Sequence, residues 1–167
     1  MALVVVLVGT VVVAIGGMGA VYVLGMRARS RLVIGPLVRL QRVVINPRQL
    51  HSAGEPGAYA SIIRHVGRAS GRPYETPVGV VATEDGFLIG LVYGSGTSWL
   101  RNVLASGSAT IVHAGRTYAV DEPEVVPMRT VAARFGPGDQ RGFRVLGVDQ
   151  ALRLHRVGPA EVAAGVA

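Results

Sequence analysis

The sequence predicts a mainly β (α+β) domain, a small antiparallel barrel of about six short strands with one inserted helix, behind an N-terminal transmembrane helix. Three features carry this. Residues 2–25 hold no charge. From Tyr59 onward, short β-like runs alternate with Gly- and Pro-bearing turns. A single stretch, Thr97–Ala105, has helical spacing, with Leu100, Val103 and Leu104 on one face. The chain divides into an anchor (1–26), a basic juxtamembrane helix and linker (27–58), the barrel (59–158) and a C-terminal tail (159–167).

Twenty-four helical residues reach about 36 Å, enough to cross a hydrocarbon core of about 30 Å. A cleaved signal peptide would carry positive charge before a shorter apolar run. Here nothing charged precedes Ala2, and Arg27, Arg29, Arg31, Arg39, Arg42 and Arg48 follow. The positive-inside rule then places the barrel on the cytoplasmic side of a single-pass span in the inner membrane, with the arginines beside lipid headgroups. Gly16 and Ala20 offer a small-xxx-small contact for helix pairing. Pro36–Val44 reads as a short amphipathic helix, lying either on the membrane or on the sheet of the barrel. Asn46-Pro47 ends it, and a turn-rich linker follows to Ala58.

The strand-like runs are Tyr59–Val66, Thr76–Ala82, Phe87–Val92, Ala109–His113, Thr117–Val120 and Gln150–Val157. Glu84-Asp85-Gly86 predicts a tight hairpin in which Asp-Gly supplies positive φ. Thr97 or Ser95 caps the helix and Ser106-Gly107 closes it. Asp121, Glu122 and Glu124 around Pro123 read as an acidic loop, and residues 127–149 as a loop partly helical over Met128–Arg134.

The net charge of +7 does not indicate nucleic acid: residues 27–54 carry six Arg and no acid, whereas the rest carries eleven Arg and all ten acids. The absence of Cys excludes disulfides, thiol catalysis and thiolate zinc sites, and the four His lack metal-ligand spacing. No paired carboxylates or Ser/His/Asp set suggests protein-borne catalysis, so a cofactor would carry the chemistry of an enzyme here.

Two turns stand out. In Gly67-Arg68-Ala69-Ser70-Gly71-Arg72-Pro73, backbone N–H groups, the Ser70 hydroxyl and two guanidinium forks can converge on an anion. The plain alternative is a hairpin loop with solvated arginines. It is not a P-loop, for no Lys follows the second Gly. In Tyr93-Gly94-Ser95-Gly96-Thr97-Ser98-Trp99-Leu100-Arg101-Asn102, a strand end and a Gly-rich turn lead into a helix N-terminus, again a place for an anion or polar ring. Trp99 either packs in the core or covers a flat heterocycle.

Over these two turns, and from about Asn46 to His113, the sequence resembles the actinobacterial deazaflavin-dependent nitroreductases, a split-β-barrel family. The resemblance implies coenzyme F420, an 8-hydroxy-5-deazaflavin with a phosphorylated tail, and hydride transfer to quinones, nitro compounds or other unsaturated acceptors. It implies that Arg68, Ala69 and Ser70 meet the phosphate, with Arg72 nearby. Tyr74, Glu75, Thr76, Pro77, Val78 and Gly79 would line tail and ring. Leu91, Val92, Tyr93 and Gly94 would meet the ring, and Ser98, Trp99, Leu100, Arg101 and Asn102 would close over it. Ala69 stands where members often carry a cation. No Tyr follows Tyr118, unlike members that activate nitro prodrugs. Tyr93, Tyr74 and Tyr118 are the candidates to protonate the reduced acceptor. An anchored hydride donor points to a lipid-dissolved acceptor such as menaquinone. The rival expectations are an FMN- or haem-binding barrel and a non-catalytic membrane-docked carrier or interaction module; a homodimer is open to each.

Overall fold

The computed structural model describes residues 17–41, 50–158 and, for the backbone, 161–162. Residues 17–27 are helical, and α1 follows over Arg31–Leu40. The strands are β1 (Ser61–Val66), β2 (Pro73–Val78), β3 (Val80–Ala82), β4 (Gly86–Gly90), β5 (Ser108–His113), β6 (Arg116–Pro127), β7 (Gln150–Arg156) and β8 (Glu161–Val162). Three further helices are α2 (Ser98–Ser106), α3 (Met128–Val131) and α4 (Pro137–Leu146), with a 3₁₀ turn at Ala132–Arg134.

All pairings are antiparallel, in the order β2-β1-β5-β6-β7-β4-β3, with β8 on β6. The two end strands, β2 and β3, are one run of chain interrupted only at Gly79. Strands at opposite ends of a flat sheet cannot be joined by one residue, because a residue spans at most about 3.6 Å. The sheet therefore curls into a half-barrel whose seam is crossed by the chain itself. The single expected strand Thr76–Ala82 is this broken strand, and it changes partner from β1 to β4 at the break.

Side chains divide between two cores by the period of two expected of strands. Phe87, Ile89, Leu152 and Leu154 join Ile63, Ile111, Leu100 and Val103 inside the curl. Leu88 and Ala151, pointing the other way, pack with Val126, Met128, Val131, Phe135 and Val148. The buried side chains thus form two cores. The segment 127–149, read from sequence mostly as loop, is α3, the 3₁₀ turn and α4, covering the outer face of β4 and β7. That explains why Phe87–Val92 reads as a continuous apolar run: β4 is buried on both faces.

Two turn assignments change. No residue from Thr83 to Gly86 has a positive φ; the positive-φ pair lies instead at Ala114 and Gly115, between β5 and β6. Gly86 serves a steric need, since a Cβ there would lie 1.9 Å from the Leu154 carbonyl oxygen. The acidic stretch is no loop. β6 runs through it with a register shift between Asp121 and Glu124 and a positive φ at Glu122, a bulge that accommodates Pro123, which has no N–H for the ladder.

The basic flank also departs from expectation. Arg27 donates to the Arg144 carbonyl (3.0 Å) and the Val145 carbonyl (3.3 Å) at the C-terminal end of α4, and Arg29 ion-pairs with Asp149. These two arginines meet protein rather than lipid headgroups, because the exposed carbonyls of a helix end attract cations. α1 buries no residue, so its apolar positions are not part of either core. No helix among the described residues is long and apolar enough to cross a membrane. Most of the predicted anchor, including Gly16, and the end of the amphipathic stretch at Arg42–Val44 lie outside the described residues.

Gly86→Ala is expected to cost about 3 kcal/mol, because the new methyl meets backbone on β7 and the ladder must shift. Urea unfolding checks this; a midpoint equal to wild type would contradict the close approach.

Candidate functional site

The two turns singled out in the sequence face each other across one cleft of about 690 Å³. The first joins β1 to β2, and its Gly67 N–H donates to the Arg72 carbonyl (2.8 Å). The second leaves β4 and enters α2, with the Gly94 N–H donating to the Leu91 carbonyl (2.9 Å). Pro77, Val78, Ile89 and Leu91 form a buried apolar wall, and Val92, Tyr93 and Trp99 are half-buried beside it.

Of the residues expected at the site, Arg68, Ala69, Ser70, Tyr74, Glu75, Thr76, Pro77, Val78, Gly79, Leu91, Val92, Tyr93, Gly94, Ser98, Trp99 and Asn102 line the cleft. Arg72, Leu100 and Arg101 do not. Leu100 faces the inner core as a fully buried apolar residue, and Arg72 and Arg101 are exposed. Nor is Tyr118 at the cleft. Its ring meets Phe87 edge-on (5.1 Å between centroids) under the Arg156 guanidinium (5.0 Å).

The turns are joined by a buried amide. Asn102, 6% exposed, accepts at Oδ1 from the Arg68 guanidinium (2.8 Å) and the Arg68 backbone N–H (3.2 Å). Its Nδ2 lies 3.2 Å from His65 Nδ1. Since Oδ1 is engaged by two donors, Nδ2 must face the imidazole and donate. His65 Nδ1 is then an acceptor, the ring is neutral, and its proton sits on Nε2, which donates to Thr76 Oγ1 (3.2 Å). Burial holds the His65 pKa below its usual 6.5, in agreement. Tyr74 stacks on the imidazole (5.8 Å, 20°) and its hydroxyl meets Ser70 Oγ (3.3 Å). Glu75 is engaged by Arg64 (2.8 Å).

His65, Ile89 and Gly90 line the cleft without having been singled out, as do Val38, Gln41, Tyr59 and Ala60, and Gly67 and Thr97 of the two turns join them. A signal existed for His65 and Ile89: each lies two residues along its strand from an inward residue, Ile63 and Phe87. Nothing in the sequence places Val38 and Gln41, which come from α1. Thr97 holds the N-cap position of α2, but its hydroxyl makes no capping bond, and its Oγ1 is buried with no partner among the described residues. Burial raises the Tyr93 phenol pKa above 10.0, with a smaller push from neighbouring Tyr22. Among the described residues no group of three His, Asp or Glu is placed to hold a metal.

No protein-family model and no curated protein matches the chain. Among solved structures, 22 chains match. One is the haem storage protein HutZ from Vibrio cholerae, at 15% identity and TM-score 0.46 over 62% of this chain and 85% of that one. Another is protein Atu2129 of unknown function from Agrobacterium tumefaciens str. C58, at 16% and 0.47 over 62% of this chain; the match spans 50% of that protein. A third is an F420 reductase, at 12% and 0.42 over 66% and 94%. Such low identities leave the ligand of this chain to be read from its own cleft.

The His65 contacts set a pH dependence. Below pH 6.5 the unfolded chain protonates this imidazole while the folded protein resists, so the stability tied to it is complete above 6.5 and declines as pH falls through the lower folded pKa. His65→Gln is expected to flatten the stability profile between pH 7.5 and pH 5. Asn102→Ala, which strands Arg68 and His65 together, is expected to cost about 2 kcal/mol. Denaturant titrations across that pH range measure both.

Proposed function

We propose that this chain is an oxidoreductase that holds reduced coenzyme F420 in the cleft and passes hydride to a quinone or to a nitro or otherwise unsaturated acceptor. The observation that carries this reading is the 2.8 Å bond from Arg68 to Asn102, which unites an anion-suited turn with a ring-suited turn in one cleft. The residues present fit such a group. Arg68 makes no ion pair among the described residues and retains donors beyond those given to Asn102. The apolar wall of Pro77, Val78, Ile89 and Leu91 suits a flat ring, and the orphaned Thr97 hydroxyl lacks the polar partner a ligand would bring.

When bound, the reduced deazaflavin supplies the hydride. Arg68, with Ser70 and the backbone of Ala69, would hold the phosphate, with Asn102 fixing the guanidinium. Pro77–Gly79, Leu91–Gly94 and Trp99 would confine the ring and exclude water. Tyr93, a half-buried phenol whose pKa burial raises, would donate a hydrogen bond or proton to the reduced acceptor oxygen. Tyr74 sits by the phosphate end through Ser70.

We place the protein at the inner face of the cytoplasmic membrane, held by the uncharged run that ends before Arg27, which favours a lipid-dissolved acceptor such as menaquinone.

Titration of the protein with oxidised F420 and, separately, FMN, followed by ligand and Trp99 fluorescence, tests the cofactor. Micromolar binding of F420 in preference to FMN is expected, with Arg68→Ala weakening it about tenfold, the scale of one charge-assisted contact. Preference for FMN, or binding without turnover of reduced F420 by any quinone or nitro acceptor, would overturn the reading.

A further inference from the structure

Arg29 lies in the turn between the helical segment 17–27 and α1, far in sequence from either cleft turn. Its guanidinium nevertheless reaches the second of them. A Cβ built on Gly94 would lie 2.9 Å from Arg29 Nη1 and 3.5 Å from Cζ, so the guanidinium occupies the space beside that glycine. Gly94 has φ +75° and carries the N–H that closes the Leu91–Gly94 turn. On its other side the same guanidinium pairs with Asp149 and lies 3.5 Å from the Gly147 carbonyl, just beyond the end of α4. One side chain thus touches a cleft-lining turn and the segment after α4, while its backbone leads into α1, which adds Val38 and Gln41 to the cleft wall.

We propose that Arg29 is a positioning residue of the cleft: through Asp149 and Gly94 it fixes the Tyr93–Gly94 turn and registers the N-terminal helical hairpin against the ligand site. Asp149 is 71% exposed, and a pair so solvated adds little to global stability. Its effect is local, setting where a turn and a hairpin sit. Arg27 supplies the comparison. It docks on the same end of α4, through the Arg144 and Val145 carbonyls, but is placed against no cleft residue.

The test is amide hydrogen exchange at Gly94 in the full chain, comparing Arg29→Ala, Asp149→Asn, Arg27→Ala and the exchanged pair Arg29→Asp with Asp149→Arg. Arg29→Ala is expected to speed Gly94 exchange about tenfold with an unchanged melting temperature, Arg27→Ala to leave it within about twofold, and the exchanged pair to slow it again. Gly94 exchange unchanged in Arg29→Ala, or accelerated equally in Arg27→Ala, would overturn the proposal; the latter would reduce Arg29 to a general docking contact. Its ligand arm rests on the cofactor reading above: F420 affinity should fall about fivefold in Arg29→Ala, and maximal turnover should fall with it, since Tyr93 sits on the same turn. If the wild-type chain binds no F420, the cofactor reading fails, and the exchange data still decide the role of Arg29.

Discussion

The continuity of β2 and β3 through Gly79 is the constraint from which the site follows. It obliges the two ends of a seven-strand path to meet, and it leaves a seam where the chain crosses instead of a ladder of hydrogen bonds. Pro77, Val78 and Gly79 line the cleft at that seam. A seam in an antiparallel curl is a natural place for a ligand. The backbone there is committed to the strands on either side, and side chains of both ends converge without filling the space between them. Filling that role from a closed barrel would require removing core residues such as Ile63 or Leu154, which the fold needs.

Asn102 explains why the two turns remain apposed. An amide presents an acceptor and a donor from one planar group, and here each has a different client: the Arg68 donors on one side and the His65 Nδ1 acceptor on the other. An aspartate would satisfy Arg68 but would oppose its second oxygen to an imidazole nitrogen that is itself an acceptor, forcing the other tautomer and requiring the Thr76 hydroxyl to donate instead of accept. The neutral ring is the arrangement that burial favours, so desolvation and hydrogen bonding agree on one protonation state. Guanidinium, amide and imidazole then form a rigid strut between β1 and α2, and the Arg68 fork is oriented before any anion arrives.

Much of this was legible in the sequence because local rules govern it. The alternation in Gln150–Val157, the apolar run at Phe87 and the two Gly-bearing turns each state their structure without reference to distant residues. Within residues 127–149 the helical stretch Met128–Arg134 was legible, but α4 was not, since the helix Pro137–Leu146 buries no residue of its own fully and is held by Phe143 and Leu146 against a sheet face the sequence does not announce. Arg27 and Arg29 misled for a related reason. A cation following an apolar run has the same signature whether it meets phosphates or the carbonyl end of a helix, and only the tertiary position of α4 distinguishes the two. Gly86 showed the opposite ambiguity: Asp-Gly fits a positive-φ turn, yet the glycine is required by the backbone of β7. His65 was readable by strand alternation from Ile63 but invisible as a functional group until Asn102 was brought beside it.

Reduction of a quinone by hydride also requires a proton, and the cleft restricts its source. Glu75, the acidic residue among the lining groups, is held by Arg64. His65 has both nitrogens engaged, and its one proton is given to Thr76. Tyr74 is tied to Ser70 beside the Arg68 loop. Two phenols remain: Tyr59, which is 87% exposed, and Tyr93, half-buried in the turn after β4 where the ring is proposed to lie. A raised phenol pKa makes Tyr93 a poor acid toward water but leaves it a competent donor to an oxygen that gains charge only as hydride arrives, which is when the proton is needed.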